Sequence, residues 1–354
     1  MTTEATAGTA RWIDDVSAPE WGESLERLPT ELRDVYFQPG YVRLYEDAWH
    51  QAQCFVYCEG SSVYYYPFLV QQIPAHPGMF DITTAYGYGG PISTSSDVDF
   101  AGRAHAEFIA HARERGVIAE LVKFHPLLEN HHLAGKTSMR VVPVCPIVYV
   151  DLRQDEQHRW DHVYTHANRK NVNKAKRAGA VVDFDGGDDA WTSFERLYAK
   201  TMATNAATDF YHFSPAYFAG IRQRLGPHHR LVTVRLAGNV VAALIVLLGS
   251  RFAHCHLLGT DRAVMSVGVN NLLHHELILW TAAHGYERLL IGGGRGNDAD
   301  DSLLRFKRNF SDTLATFFVG ESIISHAGYQ AVCDAWRSSN PERNMGNRLF
   351  GYRS

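Results

Sequence analysis

The stretch Met265-Ser-Val-Gly-Val-Asn-Asn-Leu-Leu-His-His-Glu276 (MSVGVNNLLHHE) places a glycine just ahead of an amphipathic segment. A strand-like run, FAHCHLLGT, precedes it, and the helical NNLLHHELILWTAAHG and the strand-like YERLLIGG follow it. A glycine at a helix start has two uses. It lets backbone N–H groups close on an anion, or it turns the chain into the helix.

The order strand, glycine loop, helix, strand resembles the heart of the GNAT acetyltransferase fold. There a Gln/Arg-x-x-Gly-x-Gly/Ala loop presents backbone N–H groups to the pyrophosphate of acetyl-CoA. Gly268 matches that pattern, whereas Met265 stands at the polar position and Asn270 where a glycine or alanine is needed. The fold signal is retained and the coenzyme A signal is not. The reading favoured for Gly268 is a helix-start glycine, with Asn270 or Asn271 near the cap.

Working outward, the 354 residues have room for two domains. A net charge of −4 leaves no global basic field, so any polyanion must be held by local patches. The five cysteines lack framework spacing, and CFVYC (54–58) has no second pair to complete a zinc set. MTTEATAGTARWIDD has no signal-peptide pattern, and no apolar run approaches the roughly 20 residues of a membrane span. A soluble cytoplasmic protein is expected.

The first half, taken as residues 1–145, holds two aromatic strands around a Glu59-Gly60 turn and a Gly/Tyr loop, YGYGGPIS. A helix stopped at Gly116 and the strand IAELVKFHP follow. The second, 146–354, opens on CPIVYVDL and a basic segment read as one helix, QHRWDHVYTHANRKNVNKAKRAG. After two more helices, strands pair around a Gly238-Asn239 turn; then come the helix after Gly268, a strand, a Gly/Asp loop, the short helix SLLRFKRNF and a last strand. This order predicts an α/β protein of the α+β type, with two GNAT-like domains built on mixed central sheets.

Several segments together resemble the Fem-type aminoacyl-tRNA-dependent transferases, which are double-GNAT proteins. They are DITTAYGYGGP (81–91), KFHP (123–126), NRKNVNKAKR (168–177), FERLYAKTM, YHFSPAYF and DSLLRFKRNF (301–310). The resemblance implies a monomeric enzyme, without metal or redox cofactor, that moves an aminoacyl group from a charged tRNA to an amine. The first domain would bind the acceptor, and the second would hold the donor and the reaction centre. It also accounts for the altered loop, since a charged tRNA carries its acyl group on a ribose ester. Two departures stand out: no segment has the heptads of a long helical arm, and Thr204 stands near where relatives often have an arginine that holds an acceptor's diphosphate. A peptide-like or nucleoside antibiotic intermediate is therefore the expected acceptor, ahead of a UDP- or lipid-linked peptidoglycan precursor. The rival readings are an acyl-CoA N-acyltransferase and a binding protein on an inactive transferase fold.

Lys307 matches the family lysine at the reaction centre; the alternative is a solvated helix charge beside Arg305 and Arg308. Asp81, Tyr86 and Tyr88 flank a loop made permissive by Gly87, Gly89 and Gly90, and are read as acceptor-binding. Tyr211, Phe213 and Arg305 are further substrate candidates. For tRNA the candidates are Arg169, Lys170, Lys174, Arg177 and Arg308, with positions 170, 174 and 177 on one helical face. His125 reads as a buried, hydrogen-bonded residue rather than a base.

Overall fold

The computed structural model describes residues 8–204, 212–295 and 301–353. The strands are β1 (Thr9–Ile13), β2 (His50–Glu59), β3 (Ser62–Gln72), β4 (Phe80–Thr83), β5 (Ile92–Ser93), β6 (Val117–Lys123) and β7 (Arg140–Asp151). After them come β8 (Val181–Asp183), β9 (His229–Leu236), β10 (Asn239–Leu248), β11 (Phe252–Thr260), β12 (Arg288–Gly292) and β13 (Leu314–Ile323). The helices are α1 (Pro19–Glu26), α2 (Pro39–Val42), α3 (Val98–Glu114), α4 (Glu156–His158) and α5 (His166–Arg177). The remainder are α6 (Asp188–Thr204), α7 (Pro215–Arg224), α8 (Val269–Ala283), α9 (Ser302–Arg308) and α10 (His326–Ser339).

The chain divides into two compact units, residues 1–144 with 317–354, and residues 145–316. The C-terminal segment therefore belongs with the first unit, where the order of elements along the chain had put it with the second. The cause is long-range pairing: Val319–Ile323 of β13 run antiparallel to Ala119–Lys123 of β6.

In the first unit β1, β2, β3 and β4 form an antiparallel run, and β4 pairs in parallel with β6. One face carries α3, which buries Phe100, Ala104, Phe108 and Ala112 against Phe55, Tyr66 and Phe68. Asp97 caps α3 by accepting from the Asp99 N–H, and Gly116 ends it with φ +75°. The other face carries α10, whose Val332 and Cys333 pack on Ile118 and Ala119. The β2–β3 turn is Gly60-Ser61, and Gly60 supplies the positive φ.

In the second unit β8, β9, β10 and β11 are antiparallel neighbours; β11 and β12 are parallel, and β12 is antiparallel to β7. Helices α5 and α8 bury Val172, Ala175, Val269, Leu272, Leu273 and Leu277 on one face. On the other face α6 comes so close that a Cβ on Gly259 would lie 2.5 Å from the Tyr198 nitrogen, so only glycine fits there. The β9–β10 turn is Ala237-Gly238, both with positive φ, one residue earlier than the expected Gly238-Asn239.

The basic segment is not one helix. Its start is α4 with a single π-type turn over Arg159–Val163; Tyr164 is then extended, and α5 begins afresh at His166. Thr165 caps α5 by accepting from the Asn168 N–H. The break is sealed by Arg169, whose Nη1 donates to the carbonyls of Trp160, Asp161 and Tyr164 at 2.9, 3.2 and 2.6 Å.

Candidate active site

Two parallel strands of the second unit part company. The β11–β12 ladder covers only Phe252–His254 against Arg288–Leu290. Beyond it β11 stays with β10, and β12 shifts register against β7 at Leu290/Gly292. His256 is the extra residue of a bulge in β11, between the positions paired with Ile245 and Val246. The result is a wedge at the carboxyl end of the parallel pair, where ligands of open α/β sheets bind.

Lys307 stands at this wedge. It comes from α9, whose start is fixed by Asp301 accepting from the N–H groups of Leu303 and Leu304 at 2.8 Å each. The Lys307 Nζ donates to the Gly293 carbonyl at 2.7 Å. Burial pulls its pKa down to about 8, opposed by the nearby Cys255, Asp301 and Cys145 side chains. Arg305 and Arg308 lie exposed on other sides of α9, so Lys307 is the inward member of the RFKR run. Arg305 does not join Lys307 at the wedge.

Three successive glycines, the last residue of β12 and the two after it, shape the wall of the wedge. A Cβ on Gly292 would come within 2.9 Å of the Lys307 Nζ. One on Gly293 would meet Ile147 at 3.0 Å, and one on Gly294 the Asp301 carboxyl at 2.8 Å. Each would displace a group that defines the site. Of these neighbours, Gly292–Gly294, Cys145, Cys255 and Asp301 were not singled out from the sequence. The signal for them was three glycines at a strand end, just ahead of a basic short helix.

His274, one turn into α8, is buried between Phe306 and Phe310, with ring centroids 5.5 and 5.2 Å away. Its Nδ1 lies 2.8 Å from the Asn270 carbonyl oxygen, to which it donates. Burial holds its pKa near 4, so it is neutral at physiological pH. Phe213 stacks on Tyr217 at 4.3 Å, and the Tyr217 hydroxyl is 2.7 Å from His256 Nε2. Phe213 thus belongs to an aromatic wall that reaches the bulge. Tyr211 lies outside the described residues.

Packing accounts for Gly268. It is the N-cap of α8 with φ +92°, and a Cβ there would lie 2.5 Å from the Asn171 carbonyl oxygen of α5. The helix-start glycine is needed so that α5 and α8 can approach. Asn270 Oδ1 accepts from the Thr260 hydroxyl at 2.9 Å, and Asn271 Nδ2 donates to Asn168 Oδ1 at 2.8 Å. Asn168 in turn donates to the Asn309 carbonyl at 3.0 Å, which joins α5, α8 and the end of α9.

The basic helix divides into two sets. Arg169, expected as a tRNA contact, is instead spent on the carbonyls of the preceding turn. Lys174 Nζ donates to the Ser266 carbonyl at 2.6 Å, so it braces the 262–267 turn. Lys170 and Arg177 are exposed and, among the described residues, have no carboxylate partner.

In the first unit Asp81 is fully buried, and its carboxylate is taken. Arg353 donates to it from Nε at 2.8 Å and from Nη2 at 3.0 Å, and the Tyr352 hydroxyl donates at 2.9 Å. Asp81 anchors the C-terminal turn and is corrected from an acceptor ligand to a structural residue. Tyr86 and Tyr88 are partly exposed and stand with Tyr36, Tyr41 and Tyr45. His125 is fully buried. Its Nδ1 accepts from the N–H groups of Leu127 and Leu128 at 3.2 and 3.1 Å, which leaves the ring proton on Nε2.

No helix among the described residues is long and apolar enough to cross a membrane. The family model for the acetyltransferase (GNAT) domain matches residues 166–308. No curated protein sequence matches the chain. Among solved structures, a crystal structure of FemX is similar at 10% identity and a TM-score of 0.70, over 88% of this chain and 98% of that one. The L-PGS structure from Bacillus licheniformis is similar at 11% identity and a TM-score of 0.57, over 87% and 92%. The C-terminal domain of a putative lysylphosphatidylglycerol synthetase from Agrobacterium fabrum is similar at 13% and 0.55, over 90% and 97%. At these identities the likeness is one of fold, and it agrees with the parted strands and the glycine-capped helix: the chain is a two-unit, mixed α/β protein whose second unit is GNAT-like in fold.

Proposed function

We propose that the protein is an aminoacyltransferase that takes its acyl group from an aminoacyl-tRNA and forms an amide on an amine of a small peptide-like acceptor. The observation that carries this reading is Lys307: a desolvated ammonium at the mouth of the parted strands, fixed by one glycine carbonyl. Acyl transfer needs a positive group where negative charge develops, in a place that water does not screen. The likeness to FemX over nearly all of that chain supports the same reading.

In the reaction, the acceptor nitrogen attacks the ester carbonyl. The C–N bond forms and the carbonyl oxygen becomes an oxyanion, beside which the Lys307 ammonium donates. Collapse breaks the C–O bond to the ribose. The nitrogen loses one proton, the departing ribose oxygen gains one, and the neighbouring ribose hydroxyl can relay it. No side-chain nucleophile is needed, because the ester is already activated. Lys170, Arg177 and the exposed Arg308 are assigned to tRNA phosphates, and Tyr86, Tyr88 and Phe213 to substrate.

The deciding experiment incubates the protein with each radiolabelled aminoacyl-tRNA and small-molecule extract. The expected result is one label converted into a product that survives mild base, as an amide does and an ester does not. A parallel arm supplies acetyl-CoA and longer acyl-CoAs. Turnover there, with none from any charged tRNA, replaces this reading with an acyl-CoA N-acyltransferase.

A further inference from the structure

The first unit holds a second desolvated lysine that the reaction above does not use. Lys123 ends β6, and the loop after β4 is fastened around it at several points. Its backbone N–H donates to the Thr84 hydroxyl at 3.1 Å, and its carbonyl accepts from the Gly89 N–H at 2.7 Å. Its Nζ donates to the carbonyls of Thr84 at 3.0 Å and Ala85 at 3.5 Å. Among the described residues no carboxylate pairs with it. Burial is the cause that lowers its pKa, to about 8. Two carbonyl dipoles offset an ammonium charge only in part, and a desolvated charge without a counter-ion is a position that an anion would complete.

Its surroundings are those of a ligand site. Lys123 lies where the parallel strands β4 and β6 both end, the edge at which open sheets take ligands. In the second unit Lys307, though carried by α9, reaches the corresponding end of β11 and β12. The loop that carries the Lys123 acceptors continues into Tyr86-Gly87-Tyr88. A Cβ on Gly87 would press within 2.6 Å of the Tyr36 ring, so the loop is moulded to its neighbours. Two partly exposed tyrosines next to a cation suit a ligand with a flat polar backbone and a negative end.

We propose that Lys123 is the anion-binding residue of an acceptor subsite in the first unit, where its ammonium receives a carboxylate or phosphate oxygen of the amine acceptor beside Tyr86 and Tyr88. This rests on the reading that the first unit holds the acceptor.

The test uses the full chain with 13C-labelled lysine in a Lys307→Met background, which removes the other desolvated ammonium. The Lys123 Cε signal is identified by its loss in Lys123→Arg, which keeps the charge, and again in Lys123→Gln. Sodium phosphate and sodium acetate are titrated separately, at ionic strength held constant with chloride. The expected result is a saturable shift of that signal and a rise in its apparent pKa by about one unit, which corresponds to roughly tenfold preference of the anion for the charged lysine. Lys123→Arg should retain saturable binding by calorimetry, and Lys123→Gln should lose it. Saturation with phosphate alone marks a phosphorylated acceptor, and saturation with acetate marks a carboxylate. A signal that neither anion moves overturns the proposal, whether or not the glutamine variant folds. Because no transfer is measured, saturation without any tRNA-dependent product would leave this subsite standing while the donor reading fell.

Discussion

The Lys307 ammonium group and the Gly293 carbonyl oxygen are 2.7 Å apart, a contact that turns one cation of the RFKR run inward while its neighbours face water. A charge that acts only as the oxyanion develops should affect the chemical step more than binding. In Lys307→Met, single-turnover transfer from charged tRNA should fall by about 10²–10³, while tRNA binding falls only modestly. Lys307→Arg should rescue poorly, because a planar guanidinium does not fit where a compact ammonium sits against Gly292 and the Gly293 carbonyl. Transfer within a few-fold of the parent rate in the methionine variant would reduce Lys307 to a structural charge.

The same lysine gives a pH signature. Its folded pKa is about 8, and catalysis in this account uses the charged form, so the rate should decline as pH rises through about 8. Stability should move the other way. Between about 8 and the ordinary lysine value of 10.5, the unfolded chain binds more protons than the folded one, so the Lys307 contribution rises with pH. Lys307→Met should remove both trends. Parallel pH–rate and pH–denaturation series on the two proteins would reveal it; a rate still climbing at pH 9 would contradict the charged-lysine role.

Gly268 is expected to matter for folding rather than for a pyrophosphate. A methyl group there faces the Asn171 backbone at 2.5 Å in a left-handed conformation. Gly268→Ala should cost on the order of 1–3 kcal/mol in urea melts. Acetyl-CoA binding by calorimetry should be weak in parent and variant alike. Micromolar binding by the parent, lost in the variant, would restore the anion-cradle reading.

On α5, Lys170 and Arg177 are the exposed cations that, among the described residues, have no carboxylate partner, while Lys174 holds the Ser266 carbonyl and Lys176 pairs with Glu276 at 2.8 Å. Replacing Lys170 and Arg177 with alanine should weaken binding of charged tRNA and flatten its salt dependence by about two phosphate contacts. Thermal stability should stay close to that of the parent. Lys174→Ala should instead show in the melt. An unaltered salt slope in the double variant would return this face to plain solvation.

Glu120 supplies a prediction from the core of the first unit. It is fully buried on β6, and burial raises its pKa to about 7, against lowering by Tyr66 and Ser322. Between about 4.5 and 7 the folded state binds the proton more firmly than the unfolded chain, so this group loses stabilising effect as pH rises through that window. Glu120→Gln should therefore gain stability relative to the parent from pH 5 to pH 7.5, on the order of 2 kcal/mol. Equal pH dependence in the two proteins would show that Glu120 ionises without cost.

Local patterns made much of this legible. The aromatic hairpin at Gly60, the helix closed by Gly116 and the helix begun at Gly268 all follow from periodicity and turn chemistry over short windows. What escaped depends on distance. Asp81 looked like a pocket residue because its partners, Tyr352 and Arg353, lie some 270 positions away. Arg169 looked like a free cation because a helical pattern does not show that the chain breaks at Tyr164 and needs its carbonyls sealed. Spacing alone left Lys307 as readable as a solvated charge beside Arg305 and Arg308 as a buried one; its contact with the Gly293 carbonyl, across from Gly292, decides that it faces inward.

The register of β13 on β6 also sets an order of events during synthesis. Until Val319–Ile323 have left the ribosome, β6 has an open edge on the side away from β4, and Asp81 is a buried carboxylate still without its arginine. Residues 145–316 contain β8 to β12 and the Val148–Asp151 part of β7 that pairs with β12, so that unit can fold while the first is still waiting. A nascent chain stalled before residue 319 would expose a sticky strand edge, and it should engage chaperones or aggregate well before one stalled after 353.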